Sequence, residues 1–317
     1  MNAALEAVRS EQLLIPAQAR YPMSHAPYVA DLDGQRLIVV WFAGSREWAK
    51  DVQILCALHD PATGAWTPIR DLVSDVGYSM GNSVFARDES GCLHLWYVRT
   101  RAYWHDGEIV HLVWRELEAG YLSKEVVPLG RGWLVRGRPI LRGAVVYLPV
   151  YQEEALVSGI WEHNLTTGTS RLSETIAAPG GLIHPTLVAM SAVEFRCFLR
   201  NPRDPNRMHL SYSMDRGATW SRAFPTSLPN PNSGLDVVRL DETRLICAYN
   251  DSQRHRYPLS LARSDSGGIE WTKLGDLEAL PGEYSYPSLL HTAHGLHLAY
   301  TFRRELVKFL TLDPELL

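Results

Sequence analysis

One segment recurs six times along the chain, and a chain built this way has few folds open to it. Each copy starts at a turn and continues as alternating apolar residues that end in aromatic or charged ones. The copies are residues 34–42, 91–99, 143–151, 192–200, 242–250 and 294–302. Their starts lie between 49 residues (192 − 143) and 57 residues (91 − 34) apart. Period-two runs rich in β-branched and aromatic residues are strands. A shorter apolar run precedes each copy, at 26–29, 82–85, 138–141, 184–187, 235–238 and 286–289. Each unit thus opens with an inner strand, turns into a second strand and leaves room for two more. Six four-stranded units predict an all-β fold, a six-bladed β-propeller.

Composition agrees. The 10 Trp, 14 Tyr, 23 Gly and 19 Pro belong to short strands and turns, not to a helical bundle. With 31 basic and 35 acidic residues the net charge is −4, which gives no electrostatic footprint for nucleic acid. No apolar run approaches the roughly 20 residues that span a bilayer. The first 18 residues carry Glu6 and Glu11 and no apolar core, so no secretory signal is expected and the predicted location is cytoplasmic. Cys56, Cys92, Cys197 and Cys247 are far apart, which predicts free thiols and no zinc knuckle. Residues 1–19 read as an N-terminal extension and 20–317 as one propeller domain. The sequence is silent on oligomeric state.

A second element repeats. Ser213-x-Asp215-x-Gly217-x-Thr219-Trp220 has the composition of a hairpin turn, with Asp215 bonding nearby amides and Trp220 packing beneath. Residues 264–271 are a degraded copy and residues 60–66 a weaker echo. These acids are expected to stabilise turns on the blade periphery.

In a propeller the inner strands line one axis, so the residues opening them should meet: His25, Asn82, Arg138, His184, Asp236 and Tyr286. The loops after the second strands add Arg46, Asp51, Arg200, Arg203, Asp251, Arg256, Arg303 and Arg304. Guanidinium groups at strand ends bind carboxylate or phosphate bidentately. Asp51, Tyr284 and Tyr286 fall among them, and such a pocket suits acid–base or nucleophilic chemistry on an anionic substrate. His25, His184 and Asp51 have no metal-ligand spacing. No metal or other cofactor is expected. His105, His111 and His163 are read as structural, and Asn250 and Asp251 as turn residues.

Several motifs together resemble a known family. They are Trp41-Phe-Ala-Gly-Ser-Arg46-Glu47, Leu148-Pro-Val-Tyr151, Leu228-Pro-Asn-Pro-Asn-Ser-Gly234, Tyr249-Asn-Asp-Ser252, Pro258-Leu-Ser-Leu261, Gly282-Glu-Tyr-Ser-Tyr-Pro287 and Tyr300-Thr-Phe-Arg-Arg304. Over roughly residues 20–314 the chain resembles the BNR/Asp-box repeat sialidase (neuraminidase)-like superfamily, in its bacterial and plant exo-α-sialidase-like branch. The resemblance implies a retaining glycoside hydrolase with a tyrosine nucleophile. By position, Tyr286 would be the nucleophile with Tyr284 the fallback, and Asp51 the acid/base. Arg200 and Arg256 would bind the substrate carboxylate, and Arg46 would brace the Asp51 loop. The pattern departs in three places. His25-Ala26-Pro27 stands where the family has Arg-x-Pro. His184 stands where it has the glutamate that activates the tyrosine. Arg303 and Arg304 follow Tyr300 where it has a late glutamate. One of those arginines would restore the missing charge, and His184 would act as base. The expected substrate is a small acidic carbohydrate or another carboxylate. The alternatives are another reaction on a small acid, such as a lyase or biosynthetic step, or a non-catalytic ligand-binding propeller.

Overall fold

A computed structural model describes residues 2–203 and 205–317. Six antiparallel sheets stand around one axis. From axis to rim, the first blade is Met23–Asp31, Leu37–Gly44, Gln53–His59 and Arg70–Val73. The second is Ser79–Arg87, Leu93–Thr100, Glu108–Trp114 and Ser123–Val126. The fourth starts at Ile183–Ala189, the fifth at Asp236–Arg239 and the sixth at Tyr284–Thr292.

The recurring segment is the second strand of every blade, and its alternation has a physical use. In Leu37–Gly44, Ile38, Val40 and Phe42 pack into the core shared with the second blade. Leu37, Val39, Trp41 and Ala43 point the other way, against Phe309 and Val307 of the sixth. Successive side chains on a strand face opposite ways, so one continuous apolar run fills the wedges on both sides of its blade.

The sixth blade corrects the expected domain boundary. Met1 lies outside the described residues; the rest of the expected extension is not an appendage, because Val8–Leu14 is the outer strand of that blade, antiparallel to Leu306–Leu312 with Leu14 opposite Val307. The chain start thereby closes the ring on the chain end. It covers an edge that would otherwise offer unpaired amides and carbonyls. Leu14 is the apolar anchor, buried beside Trp41 and Phe309.

The third blade departs from the simple pattern. Its inner edge is broken into Trp133–Val135 and Ile140–Arg142, both paired with Val145–Gln152. The break holds Arg136, Gly137 and Arg138. A Cβ on Gly137 would overlap the carbonyl oxygen of Pro185, so only glycine lets the third and fourth blades touch here.

The Ser213 to Trp220 element forms the expected turn between Arg207–Ser213 and Phe224–Pro229. The Asp215 carboxylate accepts the Thr219 amide (2.9 Å) and hydroxyl (2.6 Å), and Trp220 Nε1 donates to the Gly217 carbonyl (3.1 Å). In the degraded copy Ser266 Oγ accepts the Glu270 amide at 2.8 Å. The four cysteines are free thiols. Among the described residues no helix is long and apolar enough to cross a membrane.

Candidate active site

Four inner strands carry a bulge at the same end. Their pairing shifts between His25 and Tyr28, Met80 and Ser83, Ile183 and Thr186, and Ser285 and Ser288. In three of them the residue before a proline takes a left-handed backbone: Ala26 (φ 50°), His184 (φ 50°) and Tyr286 (φ 53°). Residues with a side chain resist that region, at a cost on the order of 1–3 kcal/mol each. Surrounding hydrogen bonds hold it in place. Arg136 Nη2 donates to the carbonyls of Tyr286 (2.8 Å), Pro287 (2.9 Å) and Pro27 (3.2 Å), which ties the bulges of the first and sixth blades together. Thr301 Oγ1 accepts the Ala26 amide at 2.9 Å.

Below the bulges Arg138 crosses the axis to the carbonyls of Val29 and Leu289. Asp236 accepts the Leu289 amide at 2.7 Å. Burial pushes the Asp236 carboxyl above its usual range, against the pull of Arg138 and Arg136. This layer closes the axis and gives the cavity above it a floor.

The cavity holds about 210 Å³. Larger grooves of about 430 and 450 Å³ lie between neighbouring blades elsewhere, whereas the axial cavity gathers side chains from all six blades. Three arginines enter it. Arg304 is paired with Glu283 and with Glu47, each at 2.8 Å, and Arg256 with Glu283 at 2.7 Å. Burial pushes the Glu283 carboxyl up, but Arg304 and Arg256 outweigh it and hold it below the usual carboxylate range. Arg200 differs. It is 8% exposed, and no carboxylate of the described residues pairs with it. Its Nε donates to Asn232 Oδ1 (2.7 Å) and its Nη1 to the Tyr286 hydroxyl (3.2 Å), with both ring nitrogens of His184 at 3.3 Å.

The Tyr286 ring is enclosed by cations and imidazoles. Arg136 and Arg256 each sit 5.5 Å from its centroid, and the rings of His25 and His184 lie at 4.5 and 5.5 Å. Burial drives both histidines well below the ordinary imidazole range. Arg304 and Arg256 push His25 further down, and Arg200 and Arg136 push His184. Both are therefore neutral. His25 Nδ1 meets Thr301 Oγ1 at 3.1 Å, and its Nε2 is buried with no hydrogen-bond partner among the described residues. Asn82 and Tyr151 are joined at 3.2 Å, and Phe42 and Trp104 supply the apolar wall. Glu153 completes the lining, and burial raises its carboxyl above the usual range. An anion entering this cavity meets the Arg200 guanidinium, which no carboxylate of the described residues pairs, beside a phenol.

The model of the BNR repeat-like domain matches residues 35–298. The chain belongs to the BNR repeat-like family. Several solved structures share the fold of this BNR repeat-like protein at low identity. A Dyadobacter fermentans protein of unknown function has a TM-score of 0.80 at 11% identity, over 96% of this chain and 98% of that one. The NanB sialidase of Streptococcus pneumoniae has 0.80 at 12%, over 96% and 71%. The Trypanosoma rangeli sialidase in complex with sialic acid has 0.73 at 13%, over 98% and 58%. These likenesses show that the protein shares the propeller fold of those structures. No curated protein sequence matches it.

Of the residues expected to form a site, the BNR repeat-like fold gathers His25, His184, Arg200, Arg256, Arg304 and Tyr286 in one cavity. It places four elsewhere. Asp51 is exposed, and its carboxylate accepts the Ser45 amide (3.2 Å) and hydroxyl (2.9 Å). Arg46 is exposed on the same loop and does not line the cavity. Tyr284 is 1% exposed in the core between the fifth and sixth blades. Arg303 is exposed and lies over the Phe302 ring. Asn82 reaches the cavity, whereas Arg138 and Asp236 belong to its floor.

Glu47, Glu153, Phe42, Trp104 and Tyr151 also line the cavity, although the sequence reading gave none of them a place in the site. A signal existed for some. Phe42, Tyr151 and Arg200 are each the last residue of a repeat copy, and Glu153 and Arg304 each stand two residues beyond one. Among the described residues no group of three His, Cys, Asp or Glu is placed to hold a metal ion.

Proposed function

We propose that the protein cleaves a glycoside of a small acidic sugar at the axial cavity. The observation that carries this is Arg200, a buried guanidinium that donates to the Tyr286 hydroxyl and has no carboxylate partner among the described residues. It would seat the substrate carboxylate beside the phenol, with Arg256 flanking. Tyr286 is then the nucleophile towards the anomeric carbon, and His184 the acceptor of its proton. Burial keeps His184 neutral and the Arg200 charge adds to that effect, so a carboxylate on Arg200 offsets part of it and favours the imidazole as a base. The sialidases among the structures of like fold support the same chemistry. Asp51 has no part in this reading, because it stands outside the cavity.

One observation favours a second reading. No carboxylate among the described residues bonds the Tyr286 hydroxyl, and two neutral imidazoles flank its ring. That set also fits elimination from a uronic acid. A histidine would remove the proton next to the carboxylate, Arg200 would stabilise the charge that develops, and Tyr286 would protonate the leaving oxygen.

The test is turnover of 4-nitrophenyl glycosides of N-acetylneuraminic acid and of glucuronic acid, and of a disaccharide glycosidically linked through O4 of a glucuronic acid, whose C4 oxygen is the leaving group in elimination, with product mass. Hydrolysis adds one water to the released sugar, and elimination leaves an unsaturated sugar one water lighter. Tyr286→Phe is expected to lower kcat/KM by about 10²–10⁴-fold. A wild type that neither binds nor cleaves either class would refute both readings.

A further inference from the structure

We infer that Glu153 is the proton donor of this site, protonating the leaving glycosidic oxygen and then, as carboxylate, taking a proton from water. The inference rests on the reading of the cavity as a glycoside-cleaving site, and it names a residue that neither the repeat pattern nor the family resemblance supplied.

The acids around the cavity are not equivalent. Glu283 accepts Arg256 (2.7 Å) and Ser285 (3.0 Å) on one oxygen and Arg304 (2.8 Å) on the other. Glu47 accepts Arg304 (2.8 Å) and Trp104 Nε1 (3.3 Å). Glu283, held by two guanidinium groups, stays ionised and has no proton to give, and Glu47 is taken up by Arg304 and Trp104. Asp51 is exposed and turned to Ser45. Glu153 lines the cavity with Tyr286 and Arg200, and among the described residues nothing donates a hydrogen bond to its carboxyl.

Its position follows from the chain. Glu153 lies just past Val145–Gln152 of the third blade, where its amide donates to the Gly132 carbonyl at 3.2 Å. Tyr286 belongs to the sixth blade, three blades away around the ring. The two side chains therefore enter one cavity from opposite sides of the axis, as a nucleophile and an acid must when they act on the two ends of a breaking bond.

Burial and the Glu47 charge favour the protonated carboxyl, and Arg200 opposes them. A substrate carboxylate on Arg200 neutralises that opposition. The anion that the site recognises thus also keeps the acid protonated.

The protons balance. The Tyr286 oxygen bonds the anomeric carbon while its proton passes to His184. The electron pair of the glycosidic bond leaves on the leaving oxygen, which takes the Glu153 proton. Water then attacks the anomeric carbon and gives its proton to Glu153. Tyr286 departs and recovers its own proton from His184.

The experiment compares wild type, Glu153→Gln and Asp51→Asn on 4-nitrophenyl and methyl glycosides of N-acetylneuraminic acid and of glucuronic acid. Nitrophenolate leaves without help, whereas an alkoxide needs a proton. Glu153→Gln should lose on the order of 10²–10⁴-fold in kcat/KM on the methyl glycoside and under about tenfold on the nitrophenyl glycoside. It should also lose the basic limb of the pH profile. Asp51→Asn should match wild type on both. Equal losses on the two leaving groups with an unchanged pH profile would mean that Glu153 only shapes the cavity. A leaving-group dependence in Asp51→Asn instead would also overturn the inference. In both of those cases wild-type turnover keeps the underlying reading intact. Wild type inert on all four glycosides would remove that reading and this inference with it.

Discussion

Gly137 is where the fold and the site meet most tightly, so adding one methyl group there is an informative perturbation. A Cβ on Gly137 would stand 3.0 Å from the carbonyl carbon of Pro185 and 3.2 Å from Pro149 Cβ, and would overlap the Pro185 oxygen. Carbon atoms rest about 3.5–4.0 Å apart, so in Gly137→Ala the third and fourth blades must part by at least about 0.5–1 Å. Overpacking of this kind costs about 1–3 kcal/mol. At about 2–4 °C per kcal/mol, Tm should fall by roughly 2–12 °C. The displacement reaches the site directly. Pro185 follows His184, and Arg136, which ties the bulge at Tyr286, precedes Gly137. A misplacement near 1 Å at a reacting group costs up to about 10²-fold in rate. The assay is scanning calorimetry together with kcat/KM on the nitrophenyl glycosides, with Gly159→Ala as control. A Cβ on Gly159 meets only the Leu172 and Ser173 side chains at 3.3 Å or more. Wild-type Tm and turnover in Gly137→Ala would refute the blade contact. A lowered Tm with undiminished turnover of the folded protein would refute its link to the site.

The pH dependence of stability has a definite sign. His25 and His184 are held neutral in the folded chain, whereas the unfolded chain protonates them near 6.5, so stability is full above that value and falls as pH drops below it. Glu283 has a lowered folded pKa, so its contribution is present above about 4.5 and is lost as pH falls through the folded value. Thermal melts should therefore drop on acidification below pH 6.5 and more steeply below 4.5, and a flat profile between pH 7 and 5 would contradict the buried neutral imidazoles. Leu14→Ala in the closing strand should cost about 2–5 kcal/mol by loss of a packed core side chain. Leu5→Ala, at 51% exposure, should leave Tm within a degree or two; equal effects of the two would argue against closure by Val8–Leu14.

The propeller was legible because its evidence is local and repeated. A strand that packs on both faces must alternate, and six copies at similar spacing leave little freedom. The inner-strand openings were legible for the same reason, which is why His25, Asn82, His184 and Tyr286 were expected to meet. Direction within a loop was not legible. Asp51 and Glu47 stand four residues apart on one loop, yet Glu47 turns in to Arg304 and Trp104 while Asp51 turns out to Ser45. Tyr284 and Tyr286 are two residues apart, and a strict strand would send both the same way. The bulge after Ser285 breaks that alternation, so Tyr284 goes to the core and Tyr286 to the cavity.

By itself the sequence determined the blade count, the strand alternation, the turn chemistry around Asp215 and the supply of arginines at strand ends. These depend on neighbours along the chain. The tertiary structure alone decided the ring closure by Val8–Leu14, the glycine contact between the third and fourth blades, and the choice among acids. Whether a carboxyl is held below its usual range by arginines like Glu283 or pushed above it by burial like Glu153 depends on burial and on charges brought from other blades, and those distances exist only after the ring has closed.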